Sequence, residues 1–255
     1  PLTLIFKRSN IVPSVSSAGL DTVAIRMPKH KTALALIKAS GCPIAAPSAN
    51  IAGKPSPTLA RHVFDDLNER IDIILDSGPT QIGVESTVLD MTTDPPMLLR
   101  PGGTSVESIK RVVGDITLHQ FVNAEKEVAI EKAGSPGMKH KHYAPKAPVV
   151  LVEGPILAVA GKIKELADSY KAQGKRIGIL ASEETCAYYD VPTVKCLGRK
   201  CDANSAAANL FKLFREFDSE EMDIIIAEGI STEGLGLAVM NRLRKASGYN
   251  IIKLE

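Results

Sequence analysis

The stretch Val149–Ser182, VVLVEGPILAVAGKIKELADSYKAQGKRIGILAS, decides the fold of the second half of the chain. Its two ends, VVLVEG and RIGILAS, are short unbroken apolar runs, which read as strands buried on both faces. Between them, residues 157–172 carry a helical pattern. Strand, helix, strand is the unit that joins two parallel strands, because a parallel pair needs a long crossover. The theme continues downstream. TVKCLG, MDIIIAEG and IIKL are further apolar runs, spaced by helical patterns near 203–217 and 236–246. A parallel sheet must be covered on both faces. Residues 149–255 are therefore expected to form a small Rossmann-like layer. Within it, Leu210, Phe211, Leu213, Phe214 and Phe217 form a broad apolar helix face suited to core packing. Arg242 and Arg244, on the last helix, are expected on a solvated surface.

Upstream the pattern changes. LTLIF, TVAIRM, PIAAPSA, IDIILD, STVLDM and MLLR look like strands, and residues 30–40 and 58–69 look like helices. Ser56 is a candidate N-cap, with Pro57 at the first helical position and Asp65 and Asp66 further on. Several strands follow one another without an intervening helix, which favours a mixed α/β sheet. Between the halves lies GSPGMKHKHYAPKAP, Gly134–Pro148, where Gly, Pro and alternating Lys and His sustain neither helix nor central strand. The reading is three zones: 1–118, a linker over 119–148, and 149–255. Their basic and acidic counts are 12 and 11, 5 and 3, and 14 and 15, so the linker has a basic side.

Composition narrows the function. The chain has 255 residues, 44% hydrophobic and 24% charged, a globular balance. No apolar run approaches the length of a spanning helix, and no signal peptide is visible, so cytoplasm is the plain reading. A net charge of +2 excludes a strongly basic nucleic-acid coat. Cys42, Cys186, Cys196 and Cys201 form no CxxC pair, so neither a zinc site nor a disulfide framework is expected.

The chain has no P-loop, no intact GxGxxG, no HExxH and no GxSxG. What it has are four polar clusters. In APSANIAGKPSPT, Ala46–Thr58, an apolar run ends in small hydroxyl and amide residues. Ser48 and Asn50 are two apart and share a face if strand geometry continues. Small side chains let a ligand approach the backbone closely, although the same residues make ordinary turns. GVESTVLDM, Gly83–Met91, carries Glu85, Ser86 and Thr87 just before a strand. LLRPGG, Leu98–Gly103, ends an apolar run in Arg100, and TVAIRMP ends one in Arg26. Either Arg suits phosphate or carboxylate, or snorkels off the sheet. In KHKHYAPKAP, His140 and His142 alone make a weak metal case, and Tyr143 suits a gate or simple packing.

Taken together and in order, PLTLIF, the Arg26 strand, PSANIAGKPSPT, GVESTV and LRPGG resemble the YrdC-like domain of the threonylcarbamoyl-AMP synthase family. The HYAP linker followed by a Rossmann-like tail resembles the longer, two-domain form. The resemblance implies a mixed twisted sheet of YrdC-like type followed by the small parallel-sheet domain. It implies a nucleotidyltransferase that joins L-threonine, bicarbonate or CO2, and ATP into L-threonylcarbamoyladenylate, releasing pyrophosphate. That product serves N6-threonylcarbamoyladenosine formation at tRNA position 37, which makes tRNA and downstream transfer proteins the expected partners, without a membrane. By resemblance, Arg26, Ala46 and Ser86 line the threonine side, and Thr22, Ser48, Ser56, Arg100 and Tyr143 contact ATP. Ser48, Asn50 and Arg26 carry the catalytic roles, and Mg2+ is expected with ATP. Charge accumulates on phosphate oxygens in such a reaction, so cations and oriented donors should dominate. The linker with Tyr143 is expected to act as a lid over the short-lived carbamate.

One departure matters. Family members carry an earlier Lys-x-Arg segment and the first strands of the sheet, whereas this sequence begins at PLT. A cation about 4 Å from a phosphate is worth roughly 4 kcal/mol at an effective dielectric near 20. A neutral hydrogen bond nets only about 1 kcal/mol. Residues 1–255 alone are thus expected to turn over little ATP and to expose sheet edges and apolar faces. The rival reading is an RNA-binding YrdC-like module without adenylation. The thin basic charge and scarce aromatics count against it.

Overall fold

The structure, a computed structural model, describes residues 1–126 and 143–255. The sequence readings at Lys139, His140 and His142 lie outside the described residues. In chain order the elements are β1 (Leu2–Lys7), β2 (Thr22–Ile25), α1 (Lys31–Ser40), α2 (Ala60–Leu67), β3 (Thr87–Asp90), β4 (Met97–Arg100), α3 (Val106–Val113) and β5 (Thr117–Leu118). Then follow β6 (Val149–Glu153), α4 (Ile156–Ala172), β7 (Ile177–Ala181), β8 (Thr193–Cys196), α5 (Ala203–Ser219), β9 (Ile224–Glu228), α6 (Gly236–Ala246) and β10 (Ile251–Lys253). The chain gathers into two compact units, Pro1–Ser48 with Glu85–Val122, and Ala49–Val84 with Asn123–Glu255.

The first unit holds a mixed sheet in the order β2-β1-β3-β4-β5. Strand β1 runs antiparallel to β2 and parallel to β3, while β4 runs antiparallel to β3 and parallel to β5. Ile5, Val88 and Leu99 pack into its small core. Strand β2 ends the sheet on one side, Phe6, Ile25 and Met27 are exposed, and α1 buries no residue.

The second unit contains the expected all-parallel sheet, in the order β10-β6-β9-β7-β8. Successive residues of a strand point to opposite faces, and the core obeys that rule. Val149 and Leu151 of β6, with Ile225 and Ala227 of β9, pack toward α5 and α6. Val150 and Val152, with Ile224 and Ile226, pack toward α4. All five apolar residues predicted for the α5 face are buried. At Gly178 of β7 the Phe217 ring lies so close that an added Cβ would stand 2.6 Å from it. Glycine there lets α5 settle against the sheet.

Four expectations fail. PIAAPSA and IDIILD are not strands. Neither run has a neighbouring strand among the described residues to complete a ladder, and Ile44, Ile73 and Leu75 are exposed. Helix α2 begins at Ala60 rather than after Ser56, with Leu59 at its cap. The Pro55 carbonyl is taken by Arg215 and the Thr58 amide by His62 Nδ1, so the backbone over 55–58 is committed outside a helix. Arg242 and Arg244 are buried, not solvated: Arg244 forks onto both Glu153 carboxylate oxygens at 2.9 and 2.8 Å, and Arg242 stacks over the Tyr143 ring. Finally, Cys186 and Cys196 are joined by a disulfide, because the turn after β7 and strand β8 bring two cysteines ten residues apart into reach.

Candidate active site

In the first unit, the end of β2 and the starts of β1 and β3 bring three polar side chains together. Parallel pairing of β1 with β3 places Thr3 across from Val88 and beside Ser86, and the two hydroxyl oxygens lie 2.7 Å apart. Arg26, just past β2, donates Nε to Thr3 Oγ1 and Nη2 to Ser86 Oγ, each at 2.8 Å. Arg100, at the end of β4, donates Nε to the Ser86 carbonyl at 3.1 Å and Nη2 to Ser86 Oγ at 3.3 Å. Thr3, Ser86 and Arg100 are 5%, 4% and 6% exposed, whereas Arg26 is open to solvent.

Two guanidinium groups therefore converge on one buried hydroxyl. Desolvation lowers the Arg26 pKa from its ordinary value and the nearby Glu85 charge opposes that, but a guanidinium stays a cation at neutral pH. Its Nη1 has no protein acceptor among the described residues, which leaves one prong for a ligand.

The RPGG turn fits tightly against this cluster. Gly103 donates its amide to the Glu85 carbonyl, and Thr87 Oγ1 both donates to the Thr104 carbonyl and accepts its amide. A Cβ at Gly102 would stand 2.2 Å from the Thr87 nitrogen and 2.3 Å from the Glu85 oxygen. Only glycine admits this approach, so the EST and RPGG segments are two halves of one backbone arrangement.

In the second unit, the loop after Ser48 is built around Asp66. The Asp66 carboxylate of α2 accepts Lys54 Nζ at 2.8 Å, the Ile51 amide at 3.3 Å and Arg215 Nη2 at 2.7 Å. Burial pushes its carboxyl up, but the hydrogen bonds and charges of Arg215 and Lys54 outweigh that and hold it at about 2. Asn50 donates Nδ2 to the carbonyls of Ile51 and Lys54. Its Oδ1 is buried and has no partner among the described residues. An acceptor left so costs about 1–3 kcal/mol unless a ligand donor meets it.

Of the residues singled out from sequence, the structure brings Arg26, Ser86 and Arg100 together. Thr22 opens β2 and is half-buried, Ala46 and Ser48 are exposed, and Ser56 is half-buried in the loop that Asp66 organises. Tyr143 is buried in the second unit with φ 70°, stacked 5.5 Å from the Phe211 ring. Among the described residues no group of three or more His, Cys, Asp or Glu is placed to hold a metal ion.

The family model described as Telomere recombination matches residues 1–102, and that of the threonylcarbamoyl-AMP synthase C-terminal domain matches residues 104–248. A threonylcarbamoyl-AMP synthase of Pyrococcus abyssi is 52% identical over 254 residues, covering 100% of this chain and 72% of its own length. This chain belongs to the threonylcarbamoyl-AMP synthase family. The relative from Bacillus subtilis, of the same name, is 49% identical, with 99% of this chain and 71% of its own length covered. The crystal structure of P. abyssi Sua5 complexed with L-threonine superposes with a TM-score of 0.93 at 51% identity, over 100% of this chain and 72% of that one.

Within this family fold, sequence reading missed the organising role of four residues, Asp66 among them having been read only as an acid of the helix after Ser56. Thr3 had a signal, a hydroxyl inside the apolar run LTLIF. Lys54 and Asp66 stand 12 residues apart and Arg215 stands 149 residues from the carboxylate it pairs with, so no local pattern announces either pairing.

Proposed function

We propose that this chain carries the threonine and nucleotide contacts for forming L-threonylcarbamoyladenylate and pyrophosphate from L-threonine, bicarbonate or CO2, and ATP. The observation that carries the reading is the convergence of Arg26 and Arg100 on buried Ser86, with Arg26 Nη1 still open. A carboxylate is the natural partner of a guanidinium that presents a free prong. Arg26 binds the threonine carboxylate, with Ser86 and Ala46 beside it. The threonine amine attacks the carbon of CO2 and loses a proton. A carbamate oxygen then attacks the α-phosphorus, the bond to the β-phosphate breaks, and pyrophosphate leaves. Thr22, Ser48, Ser56, Arg100 and Tyr143 serve the nucleotide, and Ser48 and Asn50 orient the reacting groups. The orphan Asn50 Oδ1 suits a ligand donor. Magnesium enters with the triphosphate as part of the substrate and neutralises the leaving charge. The product is consumed by proteins that transfer the threonylcarbamoyl group to adenosine 37 of tRNA, which places the work in the cytoplasm.

The test is calorimetry with L-threonine, followed by pyrophosphate release from ATP. Wild-type protein binds threonine, and Arg26→Ala weakens that binding by about 10- to 150-fold, the worth of one charged hydrogen-bond pair. The pyrophosphate released by residues 1–255, small in amount, requires threonine and bicarbonate together. Threonine binding unaffected by Arg26→Ala, or release that ignores threonine, overturns the reading.

A further inference from the structure

The Arg215 side chain, on α5, belongs by sequence to the part of the chain after the linker, yet its guanidinium acts on the loop that follows Ser48. Its Nε and Nη2 both donate to the Pro55 carbonyl, at 3.1 and 2.6 Å. Its Nη1 and Nη2 fork onto the two Asp66 oxygens at 3.3 and 2.7 Å. The Asp66 side chain is 1% exposed and that of Arg215 11%, so this is a sequestered ion pair rather than a surface one. Asp66 in turn holds the Ile51 amide and Lys54, and Asn50 closes the same turn through the carbonyls of Ile51 and Lys54. One guanidinium thus pins both ends of the segment Asn50–Ser56: the Ile51 end through Asp66, the Ser56 end through the carbonyl immediately before it.

We infer that Arg215 is a positioning residue for the nucleotide: α5 sets the placement of Asn50 and Ser56 through Asp66 and the Pro55 carbonyl. The inference rests on the nucleotide role given above to that loop, and it assigns part of the site's geometry to the C-terminal domain. The geometry favours positioning over mere adhesion. The donors go to a backbone carbonyl inside the loop and to the one carboxylate that also holds the loop's amide and lysine. A misplaced binding group costs far more in affinity than in folding, because ligand contacts demand alignment within about 1 Å. Arg rather than Lys suits the position, since a planar fork satisfies two acceptors at fixed angles.

The experiment is calorimetry on the full chain with ATP and, separately, L-threonine, using wild type, Arg215→Ala and Arg215→Lys, each with a melting curve. Asp66 keeps Lys54 and the Ile51 amide when Arg215 is removed, so the variant is expected to fold. Arg215→Ala should weaken ATP binding by about ten- to a hundredfold. Threonine binding should stay within about twofold, and Arg215→Lys should recover only part of the loss. ATP affinity unchanged in Arg215→Ala overturns the inference, and so does an equal weakening of both ligands alongside a lowered melting temperature, which marks a general structural support. Wild-type protein that binds neither ligand refutes the proposed function instead.

Discussion

Among single residues, Asp66 gives a pH signature with a definite sign. Its carboxyl is held at about 2 against an ordinary value of 3.8, because the bonds from Arg215 and Lys54 outweigh the burial that opposes them. A depressed carboxyl pKa means that the unfolded chain takes up the proton first. Stability from Asp66 is therefore complete above the ordinary value and is lost as pH falls from about 4 toward about 2, amounting to about 2 kcal/mol. His62, whose pKa burial and then the Arg215 charge lower from 6.5, contributes in a separate window. Its share is present above the ordinary His value and fades as pH falls below it. Urea unfolding of wild type and Asp66→Asn across these windows separates the two. The variant should be less stable at neutral pH and should lack the steep loss below about pH 4, while keeping the shallower change near pH 6. An unchanged acid limb in Asp66→Asn would assign that limb to other carboxylates.

Among the elements, the packing of α5 on the parallel sheet turns on Gly178. A methyl group there meets the Phe217 ring at 2.6 Å and the Met222 side chain at 3.2 Å. Gly178→Ala should cost about 1–3 kcal/mol by overpacking, and trimming the ring in a Gly178→Ala/Phe217→Leu double variant should return part of it. Denaturant midpoints read the effect, and additive losses would show that the two positions do not press on each other. The same elements show why half of the fold was legible in sequence. In β6, β7 and β9 each apolar run has a parallel neighbour on either side, so an unbroken run reports a buried strand truthfully. PIAAPSA and IDIILD carry the same local signal, yet among the described residues neither pairs with a strand, and periodicity alone does not report pairing. Ser56 and Pro57 likewise look like a helix start, yet the long-range bond from Arg215 takes the Pro55 carbonyl and the Thr58 amide donates to His62 Nδ1. At the site, Arg26, Ser86 and Arg100 were legible because each ends or begins a strand of one sheet.

For the molecule as a whole, compact units and sequence order are different things. Composition and charge divide a chain only into contiguous pieces. By contacts, however, residues 49–84 gather with 123–255. Thr3 with Ser86 bridges 83 positions and Arg215 with Asp66 bridges 149, and no local pattern announces either pairing. This arrangement predicts how the molecule opens. Cooperative unfolding follows packed units rather than sequence neighbours. If Asp66 and Arg215 tie α2 to α5, the amides of α2 must open together with the core helix that holds them. Native-state hydrogen exchange should then give the α2 amides near Asp66 an opening free energy close to that of the α5 amides around Arg215, while exposed α1, with no buried residue, exchanges much sooner. Arg215→Ala should release the α2 amides to faster exchange while leaving those of β6 and β9 protected, since the parallel core does not depend on that ion pair. Amides of α2 that exchange with α1 in the wild type, or that keep α5-like protection after Arg215 is removed, would show that the unit is held together by something other than this clamp.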